Sequence, residues 1–239
     1  MFNIYVGTSG WSYQHWRGVF YPQGLSQKDW FDYYCQFFNS VELNVTFYRI
    51  LKRDIFKHWF IRSPKDFCFS LKGNRLITHI KRLNDKKNLN ALLKDYLELK
   101  NKLAVILWQL PSNFKKDLKR LEDFLKNLKK FDLRNVFEFR DKSWFCPETY
   151  DLMKDYNSAL CIADSSFWPH EKQSTADFIY LRFHGRDGLY SGDYTDNELK
   201  EWADFSLAAQ KDIFAFFNND AFGFAIKNAL KFKEFLLKK

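Results

Sequence analysis

The stretch VFEFRDKSW, Val136 to Trp144, alternates apolar and charged residues before it meets a proline at Pro147. In an extended strand, residues two apart share a face, so Val136, Glu138 and Arg140 point one way and Phe137 and Phe139 the other. Two readings follow. Against bulk water, the charged face marks an ordinary half-exposed sheet. Inside a closed barrel, the same two charges mark a site. The neighbouring segments decide between them.

Short apolar runs and helical patterns alternate along the chain. The runs are Asn3–Ser9, Ser40–Asn44, Phe67–Gly73, Lys102–Pro111, NVFEFR, ALCIAD, FIYLRFHG and DIFAFFNN. Between them lie QKDWFDYYCQFF, with Ser26 placed to cap it, then RDIFKHWFI, NLNALLKDYLELK, DLKRLEDFLKNLKKF, PETYDLMKDYN and NELKEWADFSLAAQK. A last helical pattern, DAFGFAIKNALKFKEFLLK, closes the chain. Strands that alternate with helices pair in parallel, and eight of them in 239 residues predict an α/β fold, a single-domain (β/α)8 TIM barrel over residues 1–239. The doubly wound open sheet is the competitor, but GTSGWSY lacks the GxGxxG spacing of its dinucleotide turn. The weak point is SSFWPHEKQSTAD, between the sixth and seventh strands, which has no helical pattern.

Composition agrees with a globular chain: 46% hydrophobic and 28% charged, too apolar for a disordered segment. The net charge of +9 permits anionic partners, although many lysines lie on amphipathic helices such as KKDLKRLEDFLKNLKK, where they are solvated. Cys35, Cys68, Cys146 and Cys161 form no CxxC pair. Without a secretory leader pattern or an apolar run of spanning length, a cytoplasmic protein with reduced thiols and no membrane partner is expected.

In a parallel barrel the functional groups gather at the carboxyl ends of the strands. Late polar residues recur there: Glu42 and Asn44, Lys72, Gln109, Glu138 and Arg140, Asp164, Arg182 and His184, and Asn218 with Asn219. Glu42, Lys72, Glu138, Asp164 and His184 are the candidate catalytic groups. Ser9, Trp11, Asn44, Gln109, Arg140, Arg182, Arg186, Asn218 and Asn219 are the candidate ligand contacts. The alternative is an ion-pair network that only closes the top layer.

The same stretches carry a family resemblance. GTSGWSY, WRGVFYP, VELNVTFYR, THIKRL, LWQLP, EFRDKSW, YLRFHGR, YSGDYTDNELKEWA and FFNNDAFGFAIKNAL stand in the order seen in the domain-of-unknown-function 72, or YecE-like, family. The chain resembles that family over its whole length, with Val45-Thr46 a small departure where Ser-Thr is frequent. The resemblance implies a TIM barrel related in shape to the endonuclease IV-like barrels, and it implies no established reaction.

Several chemistries are open. Endonuclease-like barrels use several divalent ions, but five histidines and a site crowded with Lys72, Arg140 and Arg182 oppose a multi-zinc centre. No metal ligand and no cofactor is therefore assigned, with a single Mg²⁺ or Mn²⁺ left open. Interleaved carboxylates and cations suit metal-independent acid–base or hydrolytic chemistry, by a hydrolase or lyase whose reaction the sequence does not assign. Lys72 is either a Schiff-base nucleophile or a salt-bridge partner of Glu42 or Glu138. FHGRDGLYSG, with Arg182, His184, Arg186 and its glycines, suits an anion such as a phosphate or carboxylate on a small molecule, or is a turn that needs glycine. A nucleic-acid-binding or nucleic-acid-processing barrel and a non-catalytic binding protein are the alternatives. Trp11, Tyr13, Trp16, Phe20 and Tyr21 read as a hydrophobic plug or as a stacking surface.

Overall fold

The computed structural model describes residues 2–185, 187–188 and 190–238. Its eight strands are β1 (Ile4–Thr8), β2 (Ser40–Leu43), β3 (Cys68–Lys72), β4 (Leu103–Gln109), β5 (Asn135–Glu138), β6 (Ala159–Asp164), β7 (Phe178–Phe183) and β8 (Asp212–Phe217). Every ladder is parallel, in the order β1-β8-β7-β6-β5-β4-β3-β2. This is the expected barrel. β1 and β2, the ends of that order, meet across a seam bridged by side chains. The Asn39 amide donates to Ile4 O (2.7 Å) and accepts from Val6 N (3.2 Å), and Tyr34 OH accepts from Thr8 N while donating to Ser40 O. Gly7 allows the approach, since a Cβ there would lie 2.1 Å from Ser40 O.

The helices are α1 (Trp30–Tyr34) after β1, α2 (Val45–Tyr48) and α3 (Arg53–Arg62) after β2, and α4 (Lys86–Tyr96) after β3. α5 (Leu118–Leu128), α6 (Pro147–Asp155), α7 (Asp196–Ala208) and α8 (Phe224–Leu237) follow β4, β5, β7 and β8. Asp85, Asp117 and Thr195 cap their helices through side-chain oxygens, and Pro147 sits in the first turn of α6. The helix expected from Gln27 is shorter, a 3-10 turn followed by five α residues, and Ser26 makes no capping bond with its side chain. Between β6 and β7 an extended segment replaces the usual crossover helix. Thr175 anchors it to β6 by donating to Ser158 O and accepting from Leu160 N. Among the described residues, no helix is long and apolar enough to cross a membrane.

Two hydrophobic layers hold this ring. Outward strand residues such as Leu71, Trp108, Phe137, Ile162 and Phe183 pack against the helices, whereas Leu107, Val136, Cys161, Phe178, Tyr180, Phe214 and Phe216 fill the interior. Tyr5 stacks on Phe214 at 4.8 Å near the amino end. A buried side chain of this size contributes about 2–3 kcal/mol. The lower barrel is therefore largely filled by apolar side chains, and the buried carboxylates and guanidiniums gather at the top.

Candidate functional site

The alternation in β5 puts Glu138 inside the barrel, 1% exposed, with Arg140 just beyond the strand end. β2 brings Glu42 to the same level and β7 brings Arg182, both buried. Arg182 forks onto Glu42 through Nε (3.0 Å) and Nη2 (2.7 Å), and its Nη1 donates to Glu138 Oε2 at 2.5 Å. Gln109 Nε2 donates to the same oxygen at 2.8 Å. Arg140 Nη2 pairs with Glu138 Oε1, which His184 Nε2 approaches at 3.3 Å. Below them, Tyr180 OH donates to Glu42 Oε2 (2.7 Å) and meets Ser70 Oγ, and Ser9 Oγ, just past the end of β1, donates to Glu42 Oε1. Two carboxylates against two guanidiniums make the centre of this network neutral.

Burial pushes both carboxyls up, but Arg182 outweighs it at Glu42, and Arg140 with Arg182 outweighs it at Glu138. Glu42 is held below its ordinary value and Glu138 well below. Burial and the nearby Arg182 charge push His184 down to about 4, so its imidazole is neutral at pH 7. Asn218 Nδ2 lies 3.3 Å from His184 Nδ1, and Arg182 Nη1 lies 3.4 Å from Nε2, so donors face both ring nitrogens.

Lys72 stands apart. It reaches the same level from β3, 7% exposed, yet among the described residues it has neither an ion pair within 4 Å nor a hydrogen bond for its ammonium. Nζ instead sits 4.2 Å from the centroid of the Phe47 ring. Burial, then Arg182, lower its pKa to about 7 against the pull of Glu138 and Glu42. Neither carboxylate is its salt-bridge partner, because the guanidiniums already occupy them. Near Arg140, two buried donors are without acceptors among the described residues: Arg140 Nε, and the indole Nε1 of Trp168, whose ring lies 4.2 Å from the Arg140 guanidinium. The helix-free segment between β6 and β7 delivers Trp168. His79, after β3, packs on Phe47 at 5.0 Å and is lowered to about 4 by burial, Lys72, Arg75 and Arg140.

Other expected residues lie elsewhere. Asp164 shares its parity with Leu160 and Ile162, which face the outer layer, while Ala159, Cys161 and Ala163 face inward. It is therefore not in the network. Asn219 turns away from the barrel and donates to Gly192 O and Asn228 Oδ1, pinning the last loop. Arg182, expected to grip an anion, is committed to Glu42 and Glu138. The amide of Gly185 is likewise used, by Tyr194 OH, and a Cβ on this φ +89° residue would strike Ser191 O, so here glycine serves the turn. Arg186 lies outside the described residues. Trp11 and Asn44, with Ser9, line a separate cavity of about 300 Å³ beside the β1–β2 seam, walled also by Tyr13 and Trp59. The rest of the first loop is a plug: Trp16 and Tyr21 are buried, Trp16 Nε1 donates to Asp220, and Tyr21 stacks on Trp30 at 4.7 Å.

Sequence reasoning missed Tyr180 and Ser70, which look like ordinary strand residues, and Trp168, whose segment has no periodicity. The parity of Tyr180 with Arg182 was the available signal for the first. Among the described residues, no three His, Cys, Asp or Glu converge as a metal site. The carboxylate oxygens a divalent ion would need are taken by arginine, so the residues present do not fit one.

A nearly closed ring of eight parallel strands with a polar network across its carboxyl end defines an α/β-barrel protein. The chain belongs to the family described as "Protein of unknown function DUF72", whose pattern matches residues 5–239. It is 28% identical to the UPF0759 protein YunF of Bacillus subtilis (strain 168), over 98% of this chain and 94% of that protein. A DUF72 family protein from Thermotoga maritima MSB8 superposes with a TM-score of 0.84 at 30% identity, covering 98% of this chain and 99% of the other. One from Enterococcus faecalis V583 gives 0.81 at 20% identity, covering 99% and 96%.

Proposed function

We propose that the barrel binds a small anionic molecule, bearing a phosphate or carboxylate, at Lys72 and Arg140, and that Lys72 then acts as a metal-independent acid–base group on it. The observation that carries this reading is Lys72 Nζ, an ammonium with neither an ion pair nor a hydrogen bond among the described residues, together with two buried donors that also have no acceptor there, Arg140 Nε and Trp168 Nε1. Buried donors without acceptors cost free energy unless something uses them. The network beneath is charge-balanced, so the Lys72 charge is the one left for a ligand to neutralise. A lysine with a pKa of about 7 is present in both protonation states at neutral pH, as a general acid or base requires. Glu42, Glu138 and Arg182 set that environment from below, and neutral His184 lies against Glu138 in the same network.

Sulfate is a suitable probe, because its charge does not change near neutrality. Calorimetric titration of wild type should give binding that weakens about tenfold per pH unit above about pH 7, as Lys72 loses its proton. Lys72→Met should remove that pH dependence together with most of the affinity. Equal binding by the two proteins at pH 6 would defeat the reading.

A further inference from the structure

Two adjacent loops at the barrel mouth, residues 44–52 after β2 and 73–84 after β3, contain no acidic residue. They carry Arg49, Lys52, Arg75, Lys81 and Arg82, and none of these forms an ion pair among the described residues. Cations just outside the loops behave differently: Arg53 pairs with Glu98, Lys57 with Asp54 and Arg120 with Asp117. The two loops form one surface, since Asn74 Nδ2 donates to Thr46 O (2.8 Å) and Phe47 packs on His79. The surface continues past β4, where the Arg82 guanidinium lies 5.8 Å from the Phe114 ring. Exposed among the cations are Tyr48 (65%), Ile50 (63%) and Ile80 (59%), with the Tyr48 ring edge to face on Phe47 at 4.9 Å.

The backbone of this arc is also strained. Leu76–Ile80 forms a π-helical turn, and Arg82 and Leu83 then adopt φ of 45° and 68°. Left-handed conformations at consecutive residues with bulky side chains are unfavourable and persist only when the surroundings impose them. Here buried Leu83 anchors the turn while Lys81 stays exposed beside it. The loops after β7 and β8 carry Asp187, Asp193 and Asp220, of which Asp193 pairs with Lys227 and Asp220 with His15.

We infer that this arc binds single-stranded nucleic acid, with phosphates lying along Arg49, Lys52, Arg75, Lys81 and Arg82 and a base stacked on Tyr48. Unpaired cations supply the sequence-independent attraction to a phosphodiester chain, and an exposed aromatic between them supplies the stacking platform that such a chain uses. The inference uses no atom of Lys72 and stands apart from the small-anion reading.

The test is fluorescence anisotropy of a labelled oligothymidylate of about 12 nucleotides titrated with the full chain over a range of KCl concentrations. Four or five phosphate contacts predict a slope of log affinity against log salt of about −3, from roughly −0.7 per phosphate on a single strand. The double variant Arg49→Glu, Lys81→Glu should lose about 100-fold or more, and Tyr48→Ala about tenfold with the slope unchanged. Lys65→Glu, Lys130→Glu carries the same charge change on exposed positions at the other end of the barrel and should stay within about threefold of wild type. Lys72→Met should bind the oligonucleotide as wild type does, whatever its effect on sulfate. Equal losses in the two double variants would overturn the inference. So would a silent Tyr48→Ala combined with equally effective competition by polyglutamate, which would leave only unspecific charge attraction.

Discussion

Replacing Lys72 by Met should make the protein more stable at neutral pH. The ammonium is buried, near Arg182 and Arg140, and its pKa falls from 10.5 to about 7. At about 1.4 kcal/mol per pH unit, that gap corresponds to roughly 5 kcal/mol of folding free energy forgone when the lysine must be charged. Some of this is offset in the variant by loss of the contact with Phe47, worth up to about 2 kcal/mol when desolvated. A gain of about 2–4 kcal/mol, or roughly 5–12 °C in Tm for a chain of this length, is therefore expected near pH 7. Between about 7 and 10.5 the unfolded wild-type chain binds the proton that the folded chain has released, so wild-type stability rises with pH across that window. Below about 7 both states hold the proton and the penalty is constant. The advantage of the variant should accordingly be full at pH 6 to 7 and close as pH approaches 10.5. Urea unfolding of both proteins at a series of pH values measures it. A variant less stable than wild type at pH 7, or a difference that ignores pH, would refute the placement of an unpaired ammonium at this site.

Arg182→Met leaves two buried carboxylates without their main partner, and equilibrium unfolding should report a loss of about 3–5 kcal/mol, or no soluble protein at all. Acid should weaken the fold early. His184 is depressed to about 4, so stability falls as pH drops from about 6.5 toward 4, and the loss continues as Glu42 and Glu138 protonate below their unfolded values. Thermal scans of wild type and His184→Asn across that range should differ, with the variant flatter between about pH 6.5 and 4. Gly73→Ala should cost about 1–3 kcal/mol in the same unfolding assay, because the added Cβ would lie 2.3 Å from the buried Trp108 ring.

The barrel was legible because strand and helix patterns alternate without interruption through most of the chain, and because β5 and β7 wear their inward charges openly at Glu138, Arg140 and Arg182. The misreading of Asp164 has a physical cause. A strand buried on both faces shows no alternation, and in ALCIAD the inward positions are the small Ala159, Cys161 and Ala163, so nothing in the string fixes the parity. A slip of one residue then moves the carboxylate to the other face. Asn218 and Asn219 present the same ambiguity in two identical side chains, one facing His184 and the other Asn228. Partner choice is less visible still. That Arg182 takes both carboxylates and leaves Lys72 alone depends on side-chain reach across the barrel, and the stacking of Trp168 on Arg140 depends on a segment with no regular structure.

The seam between β1 and β2 gives the ring an ordered way to come apart. Elsewhere, separating neighbouring strands breaks a run of peptide hydrogen bonds together. Across the seam, Asn39 and Tyr34 hold the two edges as clasps, each released by the rotation of one side chain. The amino-terminal strand can therefore peel from its second neighbour while still laced to β8. A circle of eight strands behaves in this respect like a belt with a buckle. The buckle lies directly below Ser9, so any loosening there reaches Glu42 before it reaches the rest of the ionic network.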